Sequence, residues 1–147
     1  MTHDAKQVAI ELHTSIDDDG DIEYNTVRET GYFYQKNNMD VLTFRETLDD
    51  GARLNNMITI HKDRVSIKRN GPVVMHQQFQ PHRSTENVYQ HPYGTIDMQT
   101  YTTHMDYRRP DPGKAGYLTL AYTVKLNGQL ERNHQLALNV HHKEEGS

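Results

Sequence analysis

The stretch GYLTLAYTVKL, residues 116–126, decides the fold, because large apolar side chains recur in it at every second position. One face carries Leu118, Leu120, Tyr122, Val124 and Leu126. Such alternation is typical of a β-strand with one buried face. Asn127-Gly128 follows, and both residues tolerate positive φ, which predicts a tight turn. Residues 129–142 (QLERNHQLALNVHH) return to the same alternation, so the stretch predicts a β-hairpin.

The register of this hairpin depends on the length of its loop. A two-residue loop at Asn127-Gly128 would set Val124 opposite Glu131 and bring a polar side chain onto the core face. A three-residue loop, Leu126-Asn127-Gly128, with a bulge at Gly128, sets Val124 opposite Leu130 instead. Because directly opposed residues share a face, the apolar pattern favours the second arrangement. We therefore predict a bulged hairpin in that register.

The rest of the chain shows the same organisation, with short alternating segments separated by turn residues. Signals recur every 10 to 15 residues, no segment has a convincing helical period, and Asn55-Asn56 is a candidate bulge. Residues 81–87 are expected to form a loop, and residues 108–115 (RRPDPGKA) a mobile one. A meander this long curls or closes. We predict an all-β fold, a single antiparallel up-and-down β-barrel of eight to ten strands, with a two-sheet sandwich as the alternative.

Composition limits the classes of protein to consider. At 147 residues the chain fits one domain, 1–147, with an ordered core at 6–142. Cysteine is absent, which excludes disulfides and thiolate sites and suits a cytoplasmic location. The N-terminus has no long apolar run, so we expect no signal peptide and no membrane span. The net charge is −4 and the 16 Lys and Arg residues are scattered, which argues against a nucleic-acid partner.

Catalytic and metal-binding patterns are weak in this sequence. The ten histidines include no His-x-His, and the adjacent His141 and His142 point to opposite faces of a strand. The acidic stretch Asp17–Asp21 has its glycine too early for a calcium loop and is better explained as a turn. No serine lies in a Gly-x-Ser-x-Gly motif. We therefore predict no catalytic residues, no metal and no cofactor, and we favour a non-enzymatic role.

One group of residues suggests a ligand site at the mouth of a barrel. It comprises Arg69, Tyr89, His91, Tyr93 and Glu46. A guanidinium pairs with a carboxylate, and tyrosine offers an apolar wall with a polar tip, so this group suits an anionic or aromatic ligand. The alternative is structural. In that case Tyr93 packs over a barrel end beside Pro92 and Gly94, and Arg69 caps the Asn70-Gly71 hairpin in solvent.

Three segments resemble the YwiB-like family of small bacterial proteins. They are TGYFYQKNNMDVLTFRET (residues 30–47), IKRNGPVVMHQQF (67–79) and YQHPYGTIDMQTYT (89–102). The resemblance spans roughly residues 6–140. It implies a calycin-like β-barrel and a bacterial cytoplasmic setting, and it supplies no catalytic or binding residues.

Two roles fit a barrel of this kind. In the first, the lumen or mouth binds a small molecule, an expectation that comes from fold analogy. Side chains such as Phe44, Met57, Met75, Phe79 and Met98 would have to leave space for it. In the second, the barrel is a structural or protein–protein interaction module that uses its exterior. The protein is expected to be a monomer or a homodimer.

Overall fold

The computed structural model describes residues 5–143, which form a closed barrel of ten antiparallel strands. The strands are β1 (Lys6–Asp18), β2 (Asp21–Lys36), β3 (Met39–Thr47), β4 (Arg53–Ile60), β5 (Val65–Asn70), β6 (Val74–Phe79), β7 (Ser84–His91), β8 (Gly94–Arg108), β9 (Gly116–Leu126) and β10 (Arg132–His142). Each strand pairs with its neighbour in sequence, and β1 pairs with β10 to close the barrel. The predicted up-and-down barrel is confirmed, and the sandwich alternative is wrong.

The strands alternate between a buried and an exposed face, as the sequence pattern predicted. Nineteen buried apolar residues form one cluster inside the barrel. Val8, Ile10 and Leu12 of β1 face it, and so do Val65 and Ile67 of β5. Since only inward positions need apolar side chains, an apolar content of 34% is enough to fill this core. Residues 5–143 contain no helix long and apolar enough to cross a membrane.

The closing hairpin has a different register from the predicted one. Val124 lies opposite Arg132, not Leu130, whose side chain is 92% exposed. Asn127 and Gly128 both have positive φ (48° and 71°), and the Gln129 amide donates to the Leu126 carbonyl at 2.9 Å, which closes a two-residue turn. Residues 129–131 then lie outside the strands, and this extra length keeps the apolar face of β10 turned inward.

Two further local predictions are wrong. Residues 84–87 are not loop but the start of β7, whose inward side chains there are polar and lack the apolar alternation of a core strand. Asn55-Asn56 is not a bulge, since β4 pairs with β3 without interruption. The irregularity lies in β8 instead, where the register shifts between Thr102 and His104.

The two ends of the barrel differ in the connections that they carry. At the first end, the β8–β9 loop (residues 109–115) crosses the bottom. It is anchored there: Pro110 is buried, and Asp111 and Lys114 exchange two backbone hydrogen bonds of 2.9 and 3.0 Å. The sequence predicted this loop but not its anchoring. We call the opposite end, with the turns at 19–20, 48–52, 71–73, 92–93 and 127–131, the mouth.

Candidate ligand site at the barrel mouth

A single row of inward side chains crosses six strands just inside the mouth. Ladder pairing places them side by side in the order Phe44, Asn56, Arg69, Met75, Tyr89 and Ile96. Glu46 lies two residues beyond Phe44 on the same face of β3 and is half-buried. The register therefore brings four of the five predicted site residues, Glu46, Arg69, Tyr89 and His91, onto the lumen face at one end.

Arg69 is the unusual member of this row. Its Nε is buried and has no hydrogen-bond partner among the described residues. No carboxylate of residues 5–143 lies within salt-bridge distance of its guanidinium. A cap in solvent would leave the side chain exposed, whereas Arg69 is half-buried and its Nε fully buried. A buried N–H donor without an acceptor is costly, and an anion would offset that cost.

Glu46 is committed to a different neighbour. Its Oε2 accepts a hydrogen bond of 3.0 Å from Asn56 Nδ2, and Asn56 is buried between β3 and Arg69. Asn56 Nδ2 also lies 3.3 Å from the Leu54 carbonyl oxygen. The amide thus stands between the carboxylate and the guanidinium along the row, and Arg69 keeps its charge directed into the lumen.

The aromatic residues of the predicted site form a short ladder of rings along one side. Tyr89 and His91 are stacked, with centroids 6.1 Å apart, and the Tyr93 ring lies 5.3 Å from His91. Tyr89 and His91 are half-buried on the inward face of β7. Tyr93 is 95% exposed at the tip of the Pro92-Tyr93 turn, so the expectation that it packs over the barrel end is wrong. It lies at the rim of the site, outside the lumen.

Three residues of the lumen wall, Phe79, Tyr122 and His134, were not among the predicted site residues. Tyr122 stacks on His134 with centroids 5.1 Å apart, and Phe79 meets Tyr122 edge-on at 4.8 Å. Burial raises the pKa of Tyr122 to about 12, and the positive charge of Arg69 acts in the opposite direction. Burial lowers the pKa of His134 to about 4, with a further contribution from Arg132. At neutral pH the imidazole is therefore uncharged and leaves Arg69 as the cation of this wall.

The alternation of β9 and β10 already put Tyr122 and His134 on the inward face. Tyr122 and His134 lie directly opposite each other in the ladder, so their contact could be predicted only with the correct register of the hairpin. A polar pair deeper in the wall carries no such signal. There Gln77 Nε2 donates to Thr100 Oγ1 at 2.9 Å, and both side chains are buried.

The lumen is filled by side chains. Phe79 and Met98 are buried below the row, and Phe44 and Met75, which belong to the row, pack into the same core. Met57, expected among these residues, faces outward and is 40% exposed. A ligand deep in the lumen would have to displace this packing, so the mouth is the part of the barrel that suits a ligand.

The closed end carries a second polar cluster, around Asp40. Arg109 donates to both carboxylate oxygens, from Nε to Oδ2 at 2.9 Å and from Nη2 to Oδ1 at 3.1 Å. Tyr107 donates to Oδ2 at 2.6 Å and Gln35 to Oδ1 at 3.3 Å. A cavity of about 320 Å³ lies beside this cluster. Because Asp40 is already fully bonded, we assign it to holding the β8–β9 loop. Residues 5–143 contain no group of three or more His, Asp or Glu side chains that could hold a metal ion.

Comparisons with known proteins concern the whole barrel. A family model described as a domain of unknown function (DUF1934) matches residues 10–138. The chain is 27% identical over 135 residues to the "uncharacterized beta-barrel protein YwiB" of Bacillus subtilis, covering 90% of this chain and 93% of that protein. The crystal structure of the Bacillus subtilis ywiB protein superposes with a TM-score of 0.83 at 23% identity, over 95% of this chain and 94% of that one. This structural similarity concerns the fold alone.

Proposed function

The chain belongs to the DUF1934 family, consistent with the YwiB-like resemblance of its sequence, and we propose that it binds a small anionic ligand at the barrel mouth. Arg69 supplies the positive charge. The observation that carries the proposal is the buried Nε of Arg69, which has no partner among residues 5–143. Folded proteins pair their buried polar groups, so an unpaired one at the end of a lumen favours a ligand that supplies the acceptor.

The surroundings of Arg69 favour a ligand that also carries a ring. The stacked rings of Tyr89 and His91 and the exposed ring of Tyr93 offer an aromatic surface on the same side. Guanidinium groups pair with carboxylate or phosphate oxygens, and aromatic rings stack on flat apolar groups. A small aromatic acid combines the two features. The expectation that a calycin-like barrel binds a ligand rests on fold analogy alone. The cytoplasmic location stays a prediction.

Native mass spectrometry of the gently purified protein tests whether a ligand is retained. We expect a mass excess that disappears when the same sample is denatured. The excess should be absent from Arg69→Gln and present in Arg53→Gln, since Arg53 is an exposed arginine on the adjacent strand β4. A bare mass for the wild-type protein would contradict tight retention.

A direct titration with an anionic aromatic probe covers weaker binding. We expect anilinonaphthalene sulfonate to bind and fluoresce with the wild-type protein and with Arg53→Gln. Loss of a charge-assisted hydrogen bond, about 1.5–3 kcal/mol, should weaken binding to Arg69→Gln by about ten- to a hundredfold. Equal binding by all three proteins would refute the role of Arg69.

A second candidate function, protein–protein contact through the barrel exterior, has its own support. The outer face of β2 exposes Ile22, Tyr24 and Tyr32, at 49%, 79% and 50% of their surface. Tyrosines on a surface are typical of protein interfaces. A pull-down with the wild-type protein and with Tyr24→Ser tests this candidate. It predicts a partner that is recovered only by the wild-type protein.

A further inference from the structure

Strand β2 has an open edge along more than half of its length. It pairs with β1 from Asp21 to Phe33, but with β3 only from Gly31 to Lys36. Along residues 22–30 the second side of β2 meets no other strand in the described chain. An unpaired edge of nine residues is a template for another strand.

The backbone of this segment directs hydrogen-bonding groups to the outside. The Asp19-Gly20 turn has two residues, both at positive φ, so Asp18 and Asp21 form a hydrogen-bonded pair. Hydrogen-bonded pairs then recur at every second position, which turns the odd-numbered residues of β2 towards β1. The N–H and C=O groups of residues 22, 24, 26, 28 and 30 therefore face the open side.

The edge carries charged residues but lacks several other features by which proteins usually block strand addition. Residues 21–30 (DIEYNTVRET) contain no proline and no lysine, and their pairing with β1 has no bulge. Exposed Ile22 and Tyr24 stand on it. Natural edge strands are often protected by proline, lysine or a bulge, so an edge of this length without any of the three favours a partner.

We propose that a second copy of this chain occupies the edge, with β2 pairing antiparallel to β2 of the partner subunit. The proposal concerns assembly and is independent of the ligand at Arg69. A two-fold axis that joins two identical edges lies perpendicular to the sheet, so each residue pairs with one on the same face. If the whole open segment, 22–30, pairs with its copy, residue 22 lies opposite residue 30 and Thr26 lies on the two-fold axis.

This register is self-complementary on the outer face. It sets Tyr24 opposite the partner subunit's Arg28, and symmetry repeats the contact. Arg28 is 70% exposed on its side chain and lies 3.5 Å from Glu11, so it can cover a tyrosine ring. On the other face, Glu23 meets the partner subunit's Glu29. That like-charge contact opposes the dimer and identifies the register experimentally.

Disulfide trapping tests the position of the axis. The chain has no cysteine, so Thr26→Cys introduces one thiol per subunit. Residues opposite each other in a hydrogen-bonded antiparallel pair have Cα atoms about 5.5 Å apart, within reach of a disulfide. Under mild oxidation we expect covalent dimer from Thr26→Cys. The control is Thr95→Cys, another exposed threonine, on β8, which is not adjacent to β2. Equal cross-linking by both variants, or none by Thr26→Cys, would overturn the proposal.

Sedimentation velocity over a range of concentrations tests the assembly without cross-linking. We expect a reversible dimer for the wild-type protein and a monomer for Tyr24→Arg, which sets an arginine opposite the partner subunit's Arg28. Glu23→Lys replaces two like-charge contacts with two opposite-charge ones, and it should tighten the dimer by about three- to tenfold. A wild-type monomer at every concentration, or a dimer weakened by Glu23→Lys, refutes the register.

Discussion

Asp40 and Arg109 are 69 positions apart in the chain, yet the guanidinium of Arg109 donates to both carboxylate oxygens of Asp40. Asp40 lies on β3, and Arg109 begins the loop that follows β8. The pair joins that loop to the opposite wall of the barrel. Asp40 is 3% exposed and the Arg109 side chain 53%, so the carboxylate is the member that depends on the contact. Tyr107 adds a third hydrogen bond to Asp40. The pKa of the Tyr107 hydroxyl is raised, mainly by burial and further by this hydrogen bond.

Replacing Asp40 should therefore loosen the closed end of the barrel. Hydrogen bonds to charged groups contribute about 1.5–3 kcal/mol each, but their effects overlap in one cluster. We expect Asp40→Asn to lower the free energy of unfolding by about 2–3 kcal/mol. Urea denaturation followed by circular dichroism measures this change.

Asp106→Asn is the matched control for Asp40→Asn. Asp106 also accepts a tyrosine hydroxyl, that of Tyr117 at 3.2 Å, but the contact is exposed. Its loss should cost less than about 0.5 kcal/mol, as for most surface substitutions. Equal effects of the two variants would show that the buried cluster does not hold the loop.

The stability of the protein should depend on pH through His134. Its pKa is about 4 in the folded state, because of burial, and about 6.5 in an unfolded chain. The unfolded state therefore binds the proton first, and stability falls as the pH drops from about 6.5 to about 4. After allowance for partial exposure, we expect a loss of at most about 2 kcal/mol from this group. Urea unfolding at pH 7.5 and pH 4.5 measures it.

Other groups titrate in the same range, so the comparison needs a variant that cannot take up the proton. His134→Phe keeps a ring against Tyr122, which is 5.1 Å away. Its unfolding free energy should fall less between the two pH values than that of the wild-type protein. Identical pH dependence in both proteins would rule out His134 as a source.

The sequence showed the alternation within most strands, because alternation is a local property, but it left open which face of each strand lines the lumen. Register was harder. The Asn127-Gly128 turn was visible, but residues 129–131 continue outside the ladder and leave Leu130 exposed, against its apolar character. An apolar residue near a turn can face the core or the solvent, and the pairing of the strands on both sides of the turn determines which. The start of β7 was hidden for the opposite reason, since polar side chains stand there at inward positions.

The candidate site was partly visible and the Asp40 cluster was not. Arg69, Tyr89 and His91 precede turn motifs that the sequence shows, and strand pairing places them on one face. Asp40 and Arg109 come from distant segments with no shared pattern. Their contact depends on the closure of the barrel, which brings β3 and the β8–β9 loop together at one end. The lack of a hydrogen-bond partner for Arg69 Nε likewise becomes visible only in the folded structure.

Gly31 marks the point where β2 leaves β3, and a side chain there should be costly. A Cβ at this position would lie 2.3 Å from the Thr43 carbonyl oxygen and 2.6 Å from Ile10 Cδ1. The carbonyl is backbone and cannot move away without parting the two strands. We expect Gly31→Ala to destabilise the protein by more than about 2 kcal/mol, as overpacking does. Thr30→Ala, at the next position on the exposed face, is the control. Similar unfolding midpoints for the two variants would contradict the predicted clash.

The seam between β6 and β7 should be the part of the wall that opens most easily. Only two residue pairs join these strands, Val74 with Gln90 and Met75 with Tyr89. Beyond these two pairs, side chains of β7 take the place of backbone partners for Gln78. Its amide donates to Asn87 Oδ1 at 3.3 Å, and its carbonyl accepts from Thr85 Oγ1 at 2.6 Å. Local opening needs few broken bonds at such a place.

Asn87→Ala removes the acceptor of the Gln78 amide and leaves that N–H without its partner. Loss of about 1 kcal/mol of local stability corresponds to about a fivefold faster hydrogen exchange at Gln78. Exchange measured by NMR should rise there, while the amide of Ile67, in the continuous β4–β5–β6 ladder, should be unchanged. Uniform acceleration at both amides would indicate global destabilisation. No acceleration at Gln78 would show that its amide does not depend on Asn87 for protection.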